Sequence, residues 1–107
     1  MEFKNNKSDK DLQQKLLLTI KNCHKEIEEK RQKMKFLFNI KKADENKLNN
    51  LYGNYNYNHP KIQNEIRILQ KDIVAAKKVI TQLLDEEAEM WKKIKHCESE
   101  VSQILKI

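Results

Sequence analysis

The sequence predicts an all-α fold in which two long helices form a coiled coil, broken by an Asn/Gly/Pro loop near residues 49–60. Apolar residues recur at alternating spacings of four and three, which is the heptad pattern of a coiled-coil seam. The 107 residues include a single Gly and a single Pro, and 36% of them are charged, a composition typical of long helices. We therefore expect one coiled-coil unit over 1–107, built as a helical hairpin or as an interrupted rod.

Residues 1–10 are polar and unpatterned, so we expect a flexible tail and then a first helix over 11–50. Ser8 or Asp9 is a suitable N-cap, because its side-chain oxygen can accept a hydrogen bond from a free backbone N–H of the first turn. The seam of this helix is the weaker of the two, since it includes three charged residues. It consists of Leu16, Ile20, Cys23, Ile27, Lys30, Met34, Leu37, Lys41, Asp44, Leu48 and Leu51.

Phe36, Phe38 and Ile40 lie just beside the charged part of this seam. One interpretation is a local widening of the helix–helix interface, in which the aromatic residues pack outside the narrow stripe. The other is a second apolar face for a different partner. We favour the first, because long helices often shift their apolar stripe without recruiting a new partner.

A segment that disfavours helix, residues 49–60, separates the two halves. It contains five Asn residues, which compete for backbone hydrogen bonds, together with Gly53 and Pro60. Pro inside a helix costs ~3 kcal/mol, so we expect Pro60 to open the second helix at its first turn, with Asn58 or His59 as the N-cap. The heptads on either side are offset by four residues, as expected for a stutter or an inserted loop.

The second helix, expected over 60–106 after a loop at 51–59, carries the more regular seam. Its one charged member, Glu87, either fixes the register by pairing with Lys30 or Lys41 across a hairpin, or reaches outward to water. Ile and Val at most a positions favour a parallel pair of chains, whereas the similar helix lengths and the central loop favour an antiparallel hairpin within one chain. Both arrangements stay open. The seam consists of Ile62, Ile66, Leu69, Ile73, Ala76, Ile80, Leu83, Glu87, Met90, Ile94, Cys97, Val101 and Ile104.

Composition and charge restrict the class of protein. No run of about 18 apolar residues is present, and the N-terminus has no apolar signal-peptide core, so we expect a soluble protein of the cytoplasm without a membrane span. The net charge is +6, and the excess of Lys and Arg lies mainly in residues 1–60. We therefore expect the first half to contact any acidic partner, of which nucleic acid, an anionic membrane and the acidic tails of tubulin are candidates.

Cys23-His24 and His96-Cys97 form the one constellation that is similar to a metal site, because a hairpin centred on Pro60 would bring the two pairs together. Adjacent helical residues point about 100° apart, so a Cys and the His beside it do not suit one tetrahedral ion. We expect two reduced packing cysteines instead. The sequence contains no nucleophile–base set and no Gly-rich phosphate loop, and it predicts neither catalysis nor a cofactor. Nucleic-acid binding is not expected either, because the tyrosines interleave with Asn and not with Lys.

Several segments are similar to one family of small coiled-coil proteins. In the first half they are Cys23-His24-Lys25-Glu26-Ile27-Glu28-Glu29-Lys30-Arg31 and Asp44-Glu45 with Leu48. In the second half they are Val74-Ala75-Ala76-Lys77 and the positions Glu86, Trp91, Lys93, Ile94, Cys97, Val101, Leu105 and Lys106. On these residues the chain resembles the family of the Sjögren's syndrome nuclear autoantigen and the deflagellation-inducible protein of cilia. The two halves align when four residues are inserted in the loop, which equals the heptad offset.

The resemblance implies a helical, self-assembling protein that binds microtubules and is located in the cytoskeleton at centrioles, basal bodies and cilia. We therefore expect a non-catalytic microtubule-associated coiled coil that self-assembles through the Ile62–Ile104 seam. The candidate contacts for acidic tubulin tails are Lys30, Arg31, Lys92, Lys93 and Lys95.

Two other functions stay open. Lys61-Ile62-Gln63 and Ile68-Leu69-Gln70 also resemble tubulin-binding cofactor A, which implies a monomeric helical chaperone that captures free tubulin. Alternatively, the chain is a small coiled-coil subunit of a tethering or kinetochore-type complex, and its partner helix comes from another gene.

Overall fold

The computed structural model describes the backbone of residues 2–54 and 56–106 and the side chains of residues 9–54 and 56–105. Helix α1 is Glu2–Tyr52 and helix α2 is Pro60–Lys106, and the described residues contain no strand. The predicted fold class, all-α with two long helices and a loop break, is confirmed. Neither helix combines the length and the hydropathy needed to cross a membrane within the part of the chain that the structure describes.

The start of α1 differs from the expectation, whereas both ends of α2 agree with it. α1 begins at Glu2, so the segment expected to be a flexible tail, 1–10, is helical from its second residue; Met1 lies outside the described residues. Because the helix passes through Ser8 and Asp9, neither residue is its N-cap. The physical reason is that the sequence before the loop contains neither Gly nor Pro, so nothing in the covalent structure stops the helix.

Local hydrogen bonds hold the connection between the helices. The Asn54 side chain accepts a hydrogen bond from the Asn56 N–H at 2.9 Å, which is an Asx turn. His59 caps α2, because its Nδ1 accepts a hydrogen bond from the Lys61 N–H at 3.2 Å and so satisfies a free donor of the first turn. Pro60 occupies the first helical position, where its missing N–H costs nothing. Of the two predicted caps, the structure selects His59.

Packing divides the chain into two compact units, each of which combines part of α1 with part of α2. The first unit joins α1 up to Lys30 with α2 from Asp85 onward. The second unit is Arg31–Leu84 and includes the loop. Each unit is therefore a helix pair with its own buried side chains.

The first unit is an antiparallel pair with a small, tightly packed core. His24 meets Trp91 edge-on, with 5.5 Å between the ring centroids, and Lys30 meets Glu86 one to two turns further along α1. Higher numbers in α1 thus contact lower numbers in α2, as required for opposite chain directions. The core cluster consists of Cys23, Ile27 and Ile94, with Ile20, Met90 and Trp91 packed against it.

The second unit is also an antiparallel pair, closed at one end by the loop. Near the loop, the Tyr52 hydroxyl accepts a hydrogen bond from Gln70 Nε2 at 2.9 Å, and the Gln63 side chain donates to the Tyr57 carbonyl at 2.6 Å. The buried side chains of this unit all belong to the predicted seam: Met34, Ile66, Ile73, Ala76, Ile80 and Leu83.

Every seam position predicted for the two helices is buried or half-buried. This includes the charged members Lys30, Lys41, Asp44 and Glu87, which are all half-buried. Since the seam of each helix is covered by the other helix of the same unit, the seam side chains are used inside the chain. A further partner therefore has to bind another surface.

Candidate interaction surface

Lys30 belongs to the helix pair and not to an open surface. Its side chain is only 21% exposed, and its Nζ donates a hydrogen bond to Glu86 Oε2 at 2.8 Å. This hydrogen bond is the main cause that raises the pKa of Lys30 above its usual value, and the nearby carboxylates of Glu26 and Glu29 act in the same direction. Lys30 is therefore held across the first unit by Glu86, and we remove it from the candidate contacts for an acidic partner.

The other predicted contacts do not form one cluster. Lys92, Lys93 and Lys95 are exposed in the first unit, and Lys92 pairs with Glu89 at 3.2 Å. Lys93 and Lys95 are two residues apart on a helix, so they point about 200° apart and cannot contact one flat surface together. Arg31 is exposed in the second unit.

Lys41 also has a partner other than the one predicted. Its Nζ donates to Glu45 Oε1 at 2.7 Å, one turn along the same helix. This hydrogen bond is the main cause that lowers the pKa of Glu45, and the charge of Lys77 on α2 lowers it further. Lys30 is thus paired with Glu86 and Lys41 with Glu45, and the expected pairing of Glu87 across the hairpin stays a prediction.

Phe36, Phe38 and Ile40 do not widen the helix–helix interface, so the interpretation that we favoured from the sequence is wrong. Phe36 is 65% exposed, and the other two side chains are exposed as well. The physical reason is that the seam of an antiparallel pair is narrow: Phe38 and Ile40 lie at its edges and Phe36 lies beyond its edge, so a large part of each side chain stays in water. They belong to surfaces that a partner could cover.

The two flanks of the seam define two different faces of the second unit. Residues that directly follow a d position of the heptad lie on one side. Tyr52 and Gln70 each follow such a position, and the hydrogen bond between them shows that they share that side. Residues that directly precede an a position lie on the other side. Lys47 and Glu65 each precede such a position, and both line one open groove of about 410 Å³. Exposed residues near the two flanks of this unit therefore belong to one face or the other according to their heptad position.

The first of these, which we name the basic face, is formed by exposed Lys and Arg side chains from both helices. On α1 the spacing of Arg31, Lys35 and Lys42 is that of residues on one helical side. On α2, Arg67, Lys71 and Lys78 line an open groove with Val74, and Ala75 lies at its edge, between this side and the opposite one. The acidic residue on this flank, Glu45, already pairs with Lys41. The basic face consists of Arg31, Lys35, Lys42, Arg67, Lys71, Lys77 and Lys78, all exposed.

The opposite side, which we name the apolar face, combines apolar side chains with charges of both signs. Its apolar members come from α1 and α2 in similar number. Its charges are basic on α1 and, after Lys61 in the first turn of the helix, acidic on α2. The face consists of Lys33, Phe36, Ile40, Ala43 and Lys47 on α1 and of Glu65, Ile68, Asp72, Ala75 and Val79 on α2, all exposed or half-buried.

Most of the basic face was missed by sequence reasoning. The spacings of four, three and four residues from Arg31 to Lys35, Phe38 and Lys42 contain the signal. That spacing indicates one side of α1, but the contribution of α2 depends on the direction of the second helix. The sequence left that direction open, so the residues could not be assembled into one surface.

Neither cysteine forms a reactive or metal-binding cluster in the part of the chain that the structure describes. Cys23 and Cys97 are free thiols and both are buried. Among the described residues, no group of His, Cys, Asp and Glu is arranged to hold a metal ion. His96 instead lies 2.9 Å from a Glu100 carboxylate oxygen, one turn along its own helix.

Comparison of the sequence with family models gives no match, and comparisons with curated proteins and with solved structures likewise give no significant match.

Proposed function

We propose that this protein is a non-catalytic, self-associating microtubule-associated protein of the cytoskeleton, at centrioles or basal bodies, and that its basic face binds the acidic C-terminal tails of tubulin. The observation that carries the proposal is the basic face itself: seven exposed Lys and Arg side chains lie along one flank of the helix pair and on the adjoining outer side of α2. The family resemblance described above supports the choice of tubulin among acidic partners.

The charge distribution favours a flexible acidic partner. The basic side chains belong to two helices and lie along both, so they fit an extended chain with many carboxylates better than a single phosphate. Surface ion pairs are individually weak, usually below about 1 kcal/mol, so several have to form together. A disordered acidic tail can adjust to such a surface, and it attracts the basic face over about 10 Å at moderate salt.

Co-sedimentation with polymerised microtubules tests this proposal. We expect the protein to pellet with microtubules at low salt and to be released as salt rises, because exposed charges are screened. Reversing two charges of the basic face, Lys35→Glu with Lys42→Glu, should weaken binding roughly tenfold or more. The matched control is Lys21→Glu with Lys25→Glu, which makes the same change of net charge on exposed residues of the first unit.

Equal binding by the two double variants would contradict a role for the basic face. Microtubules from which limited proteolysis has removed the acidic tails provide a second arm. Undiminished binding to these microtubules would show that the tails are not the ligand.

A second candidate function is a helical chaperone for free tubulin, similar to tubulin-binding cofactor A. The specific observation in its favour is that the seam is paired inside the chain, so that a single copy can fold by itself. In that case, size-exclusion chromatography should show a complex with unpolymerised tubulin, and co-sedimentation with microtubules should be weak.

A further inference from the structure

The apolar face of the second unit has the properties of a surface that is covered in the functional state. Scattered exposed apolar residues are ordinary, but a contiguous group is typical of an interface. Phe36 and Ile40 are one turn apart and therefore neighbours on α1, as are Ala75 and Val79 on α2. Phe36, Ile40 and Val79 are between 40% and 65% exposed, so much of their apolar area faces water in a single copy.

The groove near the loop shows which parts of α1 and α2 lie side by side. It is lined by Lys47, Asn50 and Leu51 from α1 and by Glu65, Ile68 and Leu69 from α2. Residue 50 is therefore level with about residue 67. Because the helices are antiparallel, an increase of one residue number along α1 corresponds to a decrease of one residue number along α2.

This register sets the apolar groups of the two helices at the same level. Phe36 and Ile40 are level with the part of α2 that contains Ala75 and Val79. In the same way, Lys47 is level with the part of α2 that contains Asp72 and Ile68. The apolar part of α1 thus lies beside the apolar part of α2, and the basic part beside the acidic part.

We propose that the apolar face binds the same face of a second copy of this chain, through a two-fold axis parallel to the helices, to form a four-helix bundle. This deepens the proposed function and rests on its self-association. Under such an axis, α1 of one copy stacks antiparallel on α2 of the other, at the same level. Phe36 and Ile40 then pack on Val79 and Ala75 of the second copy, and each of these contacts occurs twice.

Charge explains why the occupant is a second copy. The α1 side of the apolar face carries Lys33 and Lys47, whereas the α2 side carries Glu65 and Asp72. A partner of uniform charge would be repelled by one side. A second copy related by the two-fold axis presents its acidic side to the basic side of the first, so that Lys47 lies close to Asp72 of the other copy.

The available area is also sufficient for a specific dimer. The helical segments of the second unit are about 35 Å long, and two adjacent helices are about 20 Å wide. One face therefore offers roughly 700 Å², close to the ~800 Å² per partner that specific interfaces bury. Ile68, which is half exposed, and the aliphatic stem of Lys47 extend the apolar contact towards the loop.

Sedimentation equilibrium of the full chain at several concentrations tests the proposal, with Phe36→Ser and Phe38→Ser as the pair of variants. Both residues are exposed aromatic side chains of the same helix, but Phe38 lies on the opposite flank of the seam. We expect wild type to dimerise, Phe38→Ser to dimerise equally well, and Phe36→Ser to weaken the dimer roughly tenfold or more. Because both positions are exposed, both variants should keep the helical content of wild type, which circular dichroism measures.

A charge exchange gives a second, independent arm. Lys47→Glu places like charges together and should weaken the dimer, whereas the double variant Lys47→Glu with Asp72→Lys restores opposite charges and should recover it. A wild-type dimer that Phe36→Ser and Lys47→Glu leave intact would overturn the four-helix arrangement but not self-association. A wild type that stays monomeric at all concentrations would overturn both.

Discussion

The two units of this chain use the same kind of helix pair in different ways. In the first unit, Ile94, at 1% the least exposed of the described side chains, packs with Cys23 and Ile27, and a cross-helix ion pair joins Lys30 to Glu86. Large apolar side chains are exposed in both units, for example Leu17 and Leu18 in the first, but those of the second unit include Phe36 and Ile68, which belong to the apolar face.

The cross-helix ion pair of the first unit and the basic and apolar faces of the second indicate a division of tasks. Side chains that stabilise a fold are buried against each other, whereas exposed apolar and basic groups contribute little to the stability of a single copy. We infer that the first unit mainly maintains the antiparallel pairing, and that the second unit also presents surfaces to partners. Substitutions should therefore separate stability from binding according to the unit they change.

The largest expected effect is on the core of the first unit. Ile94→Ala removes buried methyl groups and leaves a cavity, so it should lower the free energy of unfolding by about 2–5 kcal/mol. Leu84→Ala in the second unit is the matched control, because it also truncates a branched aliphatic side chain, at a half-exposed position outside the apolar face, and should cost less than about 1 kcal/mol. Urea denaturation followed by circular dichroism measures both.

The milder variant Ile94→Val keeps this comparison usable if the alanine variant is unfolded in water. It should cost about 0.5–1.5 kcal/mol. Equal losses for Ile94→Ala and Leu84→Ala would show that the two units do not differ in the way we infer.

A smaller effect is expected for the two ion pairs, and pH separates them. Hydrogen bonding raises the pKa of Lys30, so the native state gains stability below the usual lysine value of 10.5 and loses it as the pH rises through the raised pKa. Hydrogen bonding lowers the pKa of Glu45, so the gain in native-state stability is present above the usual glutamate value of 4.5 and disappears as the pH falls through the lowered pKa.

Melting temperatures across pH therefore distinguish the pairs. The gap in Tm between wild type and Lys30→Gln should be present at neutral pH and should close in alkaline solution. The gap between wild type and Glu45→Gln should be present at neutral pH and should close in acid. The first gap should be the larger, because Lys30–Glu86 joins residues 56 positions apart, whereas Lys41–Glu45 lies within one helical turn. A Lys30→Gln gap that persists at alkaline pH would contradict this assignment.

Much of the fold could be predicted because it depends on local properties of the sequence. The heptad from Ile62 to Ile104 predicts α2. The free-energy cost of Pro inside a helix predicts that the break between the helices lies just before Pro60. The direction of pairing could not be predicted, because Ile and Val at a positions favoured one arrangement and the loop favoured another. The structure pairs the helices antiparallel within each unit, so the geometry of the loop outweighs the preference of the a positions.

The candidate surfaces were less predictable, since they depend on that direction. Whether Phe36 is buried and whether Lys35 shares a face with Arg67 are both decided by how α2 lies against α1. The charges in the seam illustrate the same point. The sequence allowed Glu87 as a partner of Lys30, and the structure joins Lys30 to Glu86. These two glutamates are adjacent in the helix and point about 100° apart, so the rotation of α2 about its axis decides which carboxylate lies nearer to Lys30.

The most direct test of the account is whether the helices of one chain pair with each other. Nuclear Overhauser effects between the rings of His24 and Trp91, 5.5 Å apart at their centroids, report this contact. In a mixture of isotope-labelled and unlabelled protein, we predict that these effects arise only within one chain and do not change with concentration. If the same effects appeared between labelled and unlabelled chains, the helices would pair between copies, and the assignment of the basic and apolar faces would be wrong.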